Sequence, residues 1–569
     1  MFFIDGFGRR QFDEALAEGR IPNIARHILD RGVRVESGVT CIPSITYAIS
    51  VTFLTGKYPG HHGIVSNKWF EPSTGRYQNY CYIKTYQRVD DDYRASPTIY
   101  EILHDRVTVS IQAAMRRGCT HTIDNWATSG INWFFDNITG VDSLVAQRFE
   151  LIAEHARRWG RWPDFIWVYF PGTDNIGHRF GPNSDRYKQA VANVDRQIGR
   201  ICDALQDIGM YDRTYLCLVS DHGMVPVKRD NVFDIAAFLR ERTGAKVWNN
   251  RFTEPGDEAR LLSEYDYAVA ITASRWSAVY PIPTSRHASV AEIKALAAML
   301  QNADEEPRAS ARAALEVLEL DTTTQGEQQL DSGATKLARG VAVHHMGMYP
   351  PSKLGGSWGH SILPTWLREA VDHPAVELAA ISFRRGEVHL FSKSGYSVVT
   401  RSNDPNERHT VWQHPAGGVF EPGELPAKTR FEDETTRLVA PGASDSRAWL
   451  RATADSRYPD LVPQIVAMFD SERAGNIVFF AAEGWDFSTD DPAGGHGSIL
   501  ADDMCVPMLF AGPGLAAGGT IPFSRTCDLA PTLLYLLDAE PVLKDGTRVD
   551  MDGINLLPCR DVGRMKDEG

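Results

Sequence analysis

Three aspartates and three histidines are scattered along the chain at places that read as strand ends or Gly-rich turns. They are Asp5 after MFFI, Asp174 and His178 after FIWVYFPGT, Asp221 and His222 after TYLCLVS, and His496 in AGGHGS. In an open parallel α/β sheet such strand ends share one edge, and ligands bind at that edge. Carboxylate oxygens and imidazole nitrogens suit zinc. The six residues divide naturally into two N/O metal sites. Thr46, in CIPSITYAIS, adds a hydroxyl that could serve as nucleophile. Two divalent ions with a hydroxyl between them imply hydrolysis of phosphate esters.

Each piece also has an ordinary reading. Asp174 and His178 stand at i, i+4 in GTDNIGHRFGP, which one turn of helix or a compact loop would aim the same way. A surface turn with a capping Asp fits them equally well. Asp221 and His222 are adjacent, so a straight strand would point them to opposite faces. Gly223 behind them permits a turn. His496 alone reads as a flexible-loop histidine. His344, His345 and His360 form a competing cluster in a Gly-rich segment, with little to favour metal binding. Residues 46–56 read as a helix behind Pro43, where a threonine is ordinarily an N-cap. The positive end of that helix would also favour an alkoxide and a bound phosphate.

The elements that must position these residues are legible as apolar runs. Strands are expected at 1–4, 107–113, 165–170, 214–219, 476–481 and 506–510. Between the third and fourth, Ala190, Val191, Val194, Ile198, Ile201 and Leu205 recur at helical spacing. Strand, helix and strand imply a right-handed crossover in a parallel sheet. Residues 1–4, 165–170, 214–219 and 476–481 are expected in one mostly parallel central sheet with helices on both faces. A further helix is expected at 527–537. The catalytic core would comprise 1–244 and 471–556. Residues 245–470 read as an inserted α+β cap, with β-hairpins over 375–401, and 557–569 as a tail.

Net charge is −14 over 569 residues, which disfavours nucleic-acid binding. No apolar run is long enough to span a membrane. Asp5 lies four residues from Met1, so the chain as written is expected to be cytoplasmic, and exported if a leader precedes it. None of the eight cysteines forms a CxxC pair, and neither a disulfide framework nor a thiolate metal site is expected.

In order along the chain stand IDGFG, TxxxxxxxxTGxYPxxHGIxxNxxxxP, DxxGHxxGP, SDHGM and GGHG. Together they closely resemble the alkaline phosphatase superfamily, and within it the type I phosphodiesterase and nucleotide pyrophosphatase branch. The resemblance covers 1–240 and 470–556. It implies one zinc on Asp174, His178 and His496, and another on Asp5, Asp221 and His222. Thr46 would bridge or bind the second ion as a metal ligand and attack phosphorus. Asn67 would contact a non-bridging phosphoryl oxygen. Sulfatase relatives are disfavoured, because Cys41-Ile42-Pro43-Ser44-Ile45 lacks their arginine at the last place. Monoesterase relatives add a charged contact; Arg117 lies near that place, but Met115 stands where a lysine would be. The resemblance therefore implies a two-zinc phosphodiesterase or nucleotide pyrophosphatase that cleaves a small phosphate ester through a phospho-threonine intermediate. Phosphomonoester, phosphonate and head-group chemistry are alternatives in the same site, and a non-catalytic binding protein is a third reading. Trp69, Phe70 and Tyr77 could stack on a leaving group, although core packing is their commoner role.

Overall fold

Phe2, Phe3 and Ile4 form a three-residue strand whose side chains alternate between two cores, as the period of two demands. Phe2 and Ile4 join Val168, Phe170, Leu216 and Leu218 beneath the helix Asp185–Asp207. Phe3 packs the other way with Trp167, Cys217 and Val219, against the helix Thr46–Thr55. A central sheet buried on both faces follows, which is why its strands read as unbroken apolar runs. The computed structural model describes residues 1–82, 84–123, 138–249, 252–282, 363–402, 408–413, 419, 445–490 and 492–558.

Within them the central sheet has eight strands. Their order is Gly519–Arg525, Gly32–Val39, Met508–Ala511, Leu216–Val219, Phe2–Ile4, Phe165–Phe170, Thr108–Ile111 and His121–Ile123. Only Met508–Ala511 runs against its neighbours. The run at 506–510 thus forms a strand of this sheet, but an antiparallel one. The long crossover helix forms as its spacing indicates, capped by the Ser184 hydroxyl, which accepts from the Tyr187 amide.

A second sheet, also of eight strands, is antiparallel except where Val247–Trp248 pairs with Tyr267–Thr272. Here the structure corrects one expectation. Residues 476–481 do yield a strand, Ile477–Ala481, but in this second sheet. It lies antiparallel between Trp276–Pro281 and Val376–Arg384. All five of its residues are buried, and such a run fits any doubly covered strand. Its composition carries no information about which sheet receives it. The hairpins expected over 375–401 form as Val376–Arg384, Glu387–Ser392 and Gly395–Arg401. The large shared core contains Trp276, Leu378 and Phe480 from this sheet beside Phe3 and Trp167 from the central one.

The C-terminal segment is tied back through His61. Its Nδ1 lies 2.7 Å from Asp552 Oδ2 and its Nε2 lies 3.0 Å from Asp470 Oδ2. Burial opposes the charge on His61, but hydrogen bonds to Asp470 and Asp552 and their charges outweigh it and push its pKa up to about 9. A free histidine titrates near 6.5. A folded pKa raised above the unfolded one gives stability that is full below about pH 6.5 and is lost as pH rises through about 9. Melting temperature should therefore fall across that window, and His61→Gln should flatten the fall. An unchanged profile in the variant would show that the two ion pairs do not set it.

Among the described residues no helix is long and apolar enough to cross a membrane. Seven cysteines there form no disulfide. His344, His345 and His360 lie outside the described residues.

Candidate functional site

Asp5, Asp174 and Asp221 all leave the same edge of the central sheet. Phe2–Ile4 runs parallel to Phe165–Phe170 on one side and to Leu216–Val219 on the other, so three successive strand ends converge. Asp174 and His178 lie on the helix Gly172–Phe180 and face one way by their i, i+4 spacing. Gly6, at φ 66°, turns the chain after Asp5, and a Cβ there would stand 2.9 Å from the Asp174 Cα. Gly223 is required for a different reason than its turn. Its φ is not left-handed, but a Cβ would stand 1.9 Å from the Asp502 carbonyl oxygen. His496 follows Gly494–Gly495, which pairs antiparallel with Val225–Pro226 just beyond His222 in a separate three-stranded sheet.

Six of the residues singled out from the sequence come together as two triads, Asp174, His178 and His496, and Asp5, Asp221 and His222. In the first, Asp174 Oδ1 lies 3.4 Å from His178 Nε2 and 3.5 Å from His496 Nε2. In the second, His222 Nε2 lies 3.3 Å from Asp5 Oδ1 and 3.1 Å from Asp221 Oδ2. Donors held at about 2.0–2.2 Å around a tetrahedral zinc stand about 3.3–3.6 Å apart. The His222 and His496 rings stack with centroids 3.3 Å apart, so the triads adjoin.

Hydrogen bonds test whether these groups fit a cation. Asp5 Oδ1, Asp174 Oδ1 and Asp221 Oδ2 are buried and accept no hydrogen bond. Each imidazole has its Nδ1 on a backbone carbonyl: His222 on Gly223 at 2.9 Å, His496 on Ser44 at 2.8 Å and His178 on Gly494 at 2.8 Å. Those carbonyls can only accept, so Nδ1 carries the proton and Nε2 presents a lone pair inward, the tautomer of a metal-ligating histidine. Burial, with the charges of Asp221 and Asp174, holds the Asp5 carboxyl well above its ordinary range. Burial and the neighbouring imidazoles hold His496 well below its own. Burial opposes a charge on His222, but Asp221 and Asp5 outweigh it and favour a second proton on Nε2, raising its pKa; a cation would take the place of that proton. Divalent cations between the triads would remove the conflict among three crowded carboxylates. The donor set fits them.

Thr46 opens the helix Thr46–Thr55, and its Oγ1 lies 3.2 Å from His222 Nε2. It is the first helical residue and not the cap. Ile45 is the N-cap, and no side chain caps this end. The Thr46 hydroxyl therefore has no structural duty at the helix terminus. Asn67 Oδ1 accepts the Tyr47 amide at 3.0 Å, and its NH₂ faces Cys81 on the wall of the cavity that Thr46 also lines. A cavity of about 650 Å³ opens over this constellation, and Thr46, Asn67, Asp174, His178 and His496 all line it.

Lys68, Arg179 and Arg229 line this cavity together with Asp490, and Ile271–Ser274 contribute an edge from the second sheet. None of these had been singled out from the sequence. Lys68 and Arg179 each directly follow a site residue, a signal that was present; Ser274 offered none. Trp69, Phe70 and Tyr77 are buried, which is the core-packing role. Arg117 donates to Glu101 and to the Ser96 and Asp90 carbonyls, and does not line the cavity.

The murine ectonucleotide pyrophosphatase/phosphodiesterase 5 structure superposes with a TM-score of 0.50 at 15% identity, covering 97% of each chain, and so shares the fold. A pyrophosphatase/phosphodiesterase of Schizosaccharomyces pombe is 26% identical over 289 residues, 48% of this chain and 54% of its own. Mouse ectonucleotide pyrophosphatase/phosphodiesterase family member 1 is 26% identical over 226 residues, 39% of this chain and 24% of its own. The chain thus spans about half or less of these curated relatives. The family model for type I phosphodiesterase/nucleotide pyrophosphatase matches residues 1–417, which include every residue of the two triads except His496. With that match over most of its length, the chain belongs to the type I phosphodiesterase/nucleotide pyrophosphatase family.

Proposed function

We propose that this chain hydrolyses phosphodiester or phosphoanhydride bonds of small nucleotide-like substrates, with two zinc ions and a covalent phosphothreonine at Thr46. One observation carries the reading. The Thr46 hydroxyl lies 3.2 Å from a histidine of one triad, at the positive end of a helix, in the cavity that the other triad lines. Asp174, His178 and His496 would hold one ion, and Asp5, Asp221 and His222 the other. When bound, the ions supply Lewis acidity that lowers the pKa of the hydroxyl and stabilises the oxygens on either side of phosphorus.

The protein's own groups account for the rest. Helix Thr46–Thr55 presents the Thr46 Oγ1 at its N-terminus, where the helix would favour a phosphoryl group for in-line attack. As the bond from the Thr46 oxygen to phosphorus forms, the bond from phosphorus to the leaving-group oxygen breaks, and the hydroxyl proton passes to solvent water. Asn67, held by the Tyr47 amide, donates to a non-bridging oxygen as charge builds there. Water then attacks phosphorus, the Thr46 oxygen leaves, and the hydroxyl is restored. Lys68, Arg179 and Arg229 suit a phosphate-bearing leaving group. Among the structural neighbours, an inactive threonine-to-alanine variant of the murine protein was solved with AMP, which supports a nucleotide-sized occupant.

A diester presents one charge on its phosphoryl group and a monoester two. Asn67 is neutral and Arg117 is engaged elsewhere, so the second charge lacks the contact that monoesterase relatives provide. With 4-nitrophenolate as the common leaving group, kcat/KM for a diester should exceed that for the monoester by about 10- to 100-fold, the worth of one charged hydrogen bond. Equal or inverted rates would reassign the chain to monoester chemistry.

A further inference from the structure

His496 stands alone among the triad residues in lying away from the ends of the central-sheet strands Phe2–Ile4, Phe165–Phe170 and Leu216–Val219, and its backbone is clasped by a turn of the second sheet. The His496 amide donates to the Ala273 carbonyl at 2.9 Å, and the Arg275 amide donates to the His496 carbonyl at 3.2 Å. Ala273 and Ser274 hold φ of 54° and 72°, a left-handed conformation that residues bearing a side chain seldom adopt. Something must hold the turn in that shape.

The Arg275 side chain does so. It is fully buried, and all five of its N–H donors are satisfied. Nε and Nη2 reach the two oxygens of Asp503 at 3.0 and 3.2 Å. Nη1 donates to the Ala482 and Trp485 carbonyls at 2.9 and 3.1 Å, and Nη2 also to Ala481 at 3.3 Å. Asp503, buried as well, accepts the Ser498 amide at 3.1 Å, two residues beyond His496. The loop bearing His496 is thereby pinned on both sides of the histidine by one guanidinium–carboxylate fork. The Asp503 backbone carbonyl separately accepts the Gly223 amide at 2.9 Å, a contact that side-chain substitution leaves in place.

A buried ion pair adds little net stability over well-packed apolar residues, and its best attested use is to fix geometry. We infer that Arg275 is a positioning residue for the metal centre: through Asp503 it sets the place of His496, and so the affinity of the triad Asp174, His178 and His496 for its ion. The inserted region would then be a working part of the centre, beyond forming the cavity edge. This rests on the two-metal reading above.

Zinc affinities of the purified full chain, measured by competition with a chelator, separate the two ideas. The wild type should bind two ions. Arg275→Lys keeps the charge but cannot form the fork. It should weaken one ion by about 10- to 100-fold, as loss of a group that orients a ligand does, and leave the other unchanged. Activity should return with added zinc. Asp503→Asn preserves volume and gives the same readout if Arg275→Lys does not fold. Arg525→Lys is the control for burial alone. Arg525 is equally buried but donates to Asp460 and Ser446, so its variant should melt earlier with both zinc affinities intact. A folded Arg275→Lys or Asp503→Asn protein with wild-type affinity for both ions would overturn the inference. A wild type that binds fewer than two ions would overturn the metal reading itself.

Discussion

Thr46→Ala should abolish turnover while leaving the fold untouched. The helix does not depend on this side chain, because Ile45 is the cap and no side chain caps that end. Alanine at the first helical position is a better helix former than threonine, so melting temperature should stay near that of the wild type. The chemistry has no substitute for the hydroxyl. Removing a covalent nucleophile should lower kcat by at least about 10³-fold. Thr46→Ser keeps the oxygen and should retain part of the rate. Quenching the wild type during turnover should leave phosphate on Thr46, which mass spectrometry of the peptide would detect. Near-normal turnover by Thr46→Ala would mean direct attack by water, with the triads unaffected.

His496→Ala should be nearly as damaging, by another route. Its Nε2 is one of three donors in its triad, and its Nδ1 is anchored on Ser44. The loop would keep its backbone clasp on Ala273 and Arg275. The variant should therefore fold, bind about one zinc in place of two, and lose about 10²-fold or more of kcat, since even groups behind a ligand are worth 10- to 100-fold. Excess zinc should restore little, because a ligand has gone and not merely shifted. Unchanged metal content would remove His496 from the ligand set.

Much of this site was legible because parallel strands deliver their ends to one edge. Asp5, Asp174 and Asp221 each follow an apolar run, and the alternation of such runs with helical patterns told strand from helix. The Asp185–Asp207 helix was legible from spacing alone. What could not be read was address. Ile477–Ala481 looks like any buried strand, and only its partners Trp276–Pro281 and Val376–Arg384 place it in the second sheet. The position of His496 is likewise decided by contacts more than 200 residues away in sequence, at Ala273 and Arg275. Arg275 carries no local signal, since a lone arginine between a serine and a tryptophan is ordinarily solvated. Thr46 was legible as a helix start, but the cap fell one residue earlier, at Ile45. Gly223 was legible as special, yet its reason, the approach of the Asp502 carbonyl, is tertiary.

Diffraction from zinc-loaded crystals, recorded on both sides of the zinc absorption edge, tests the centre most directly. Two anomalous peaks are expected about 4 Å apart. One should lie among Asp174 Oδ1, His178 Nε2 and His496 Nε2, the other among Asp5 Oδ1, Asp221 Oδ2 and His222 Nε2, each about 2.0–2.2 Å from its donors. Peaks located elsewhere, or a protein that stays fully active after every ion is removed, would contradict a two-metal centre at this sheet edge.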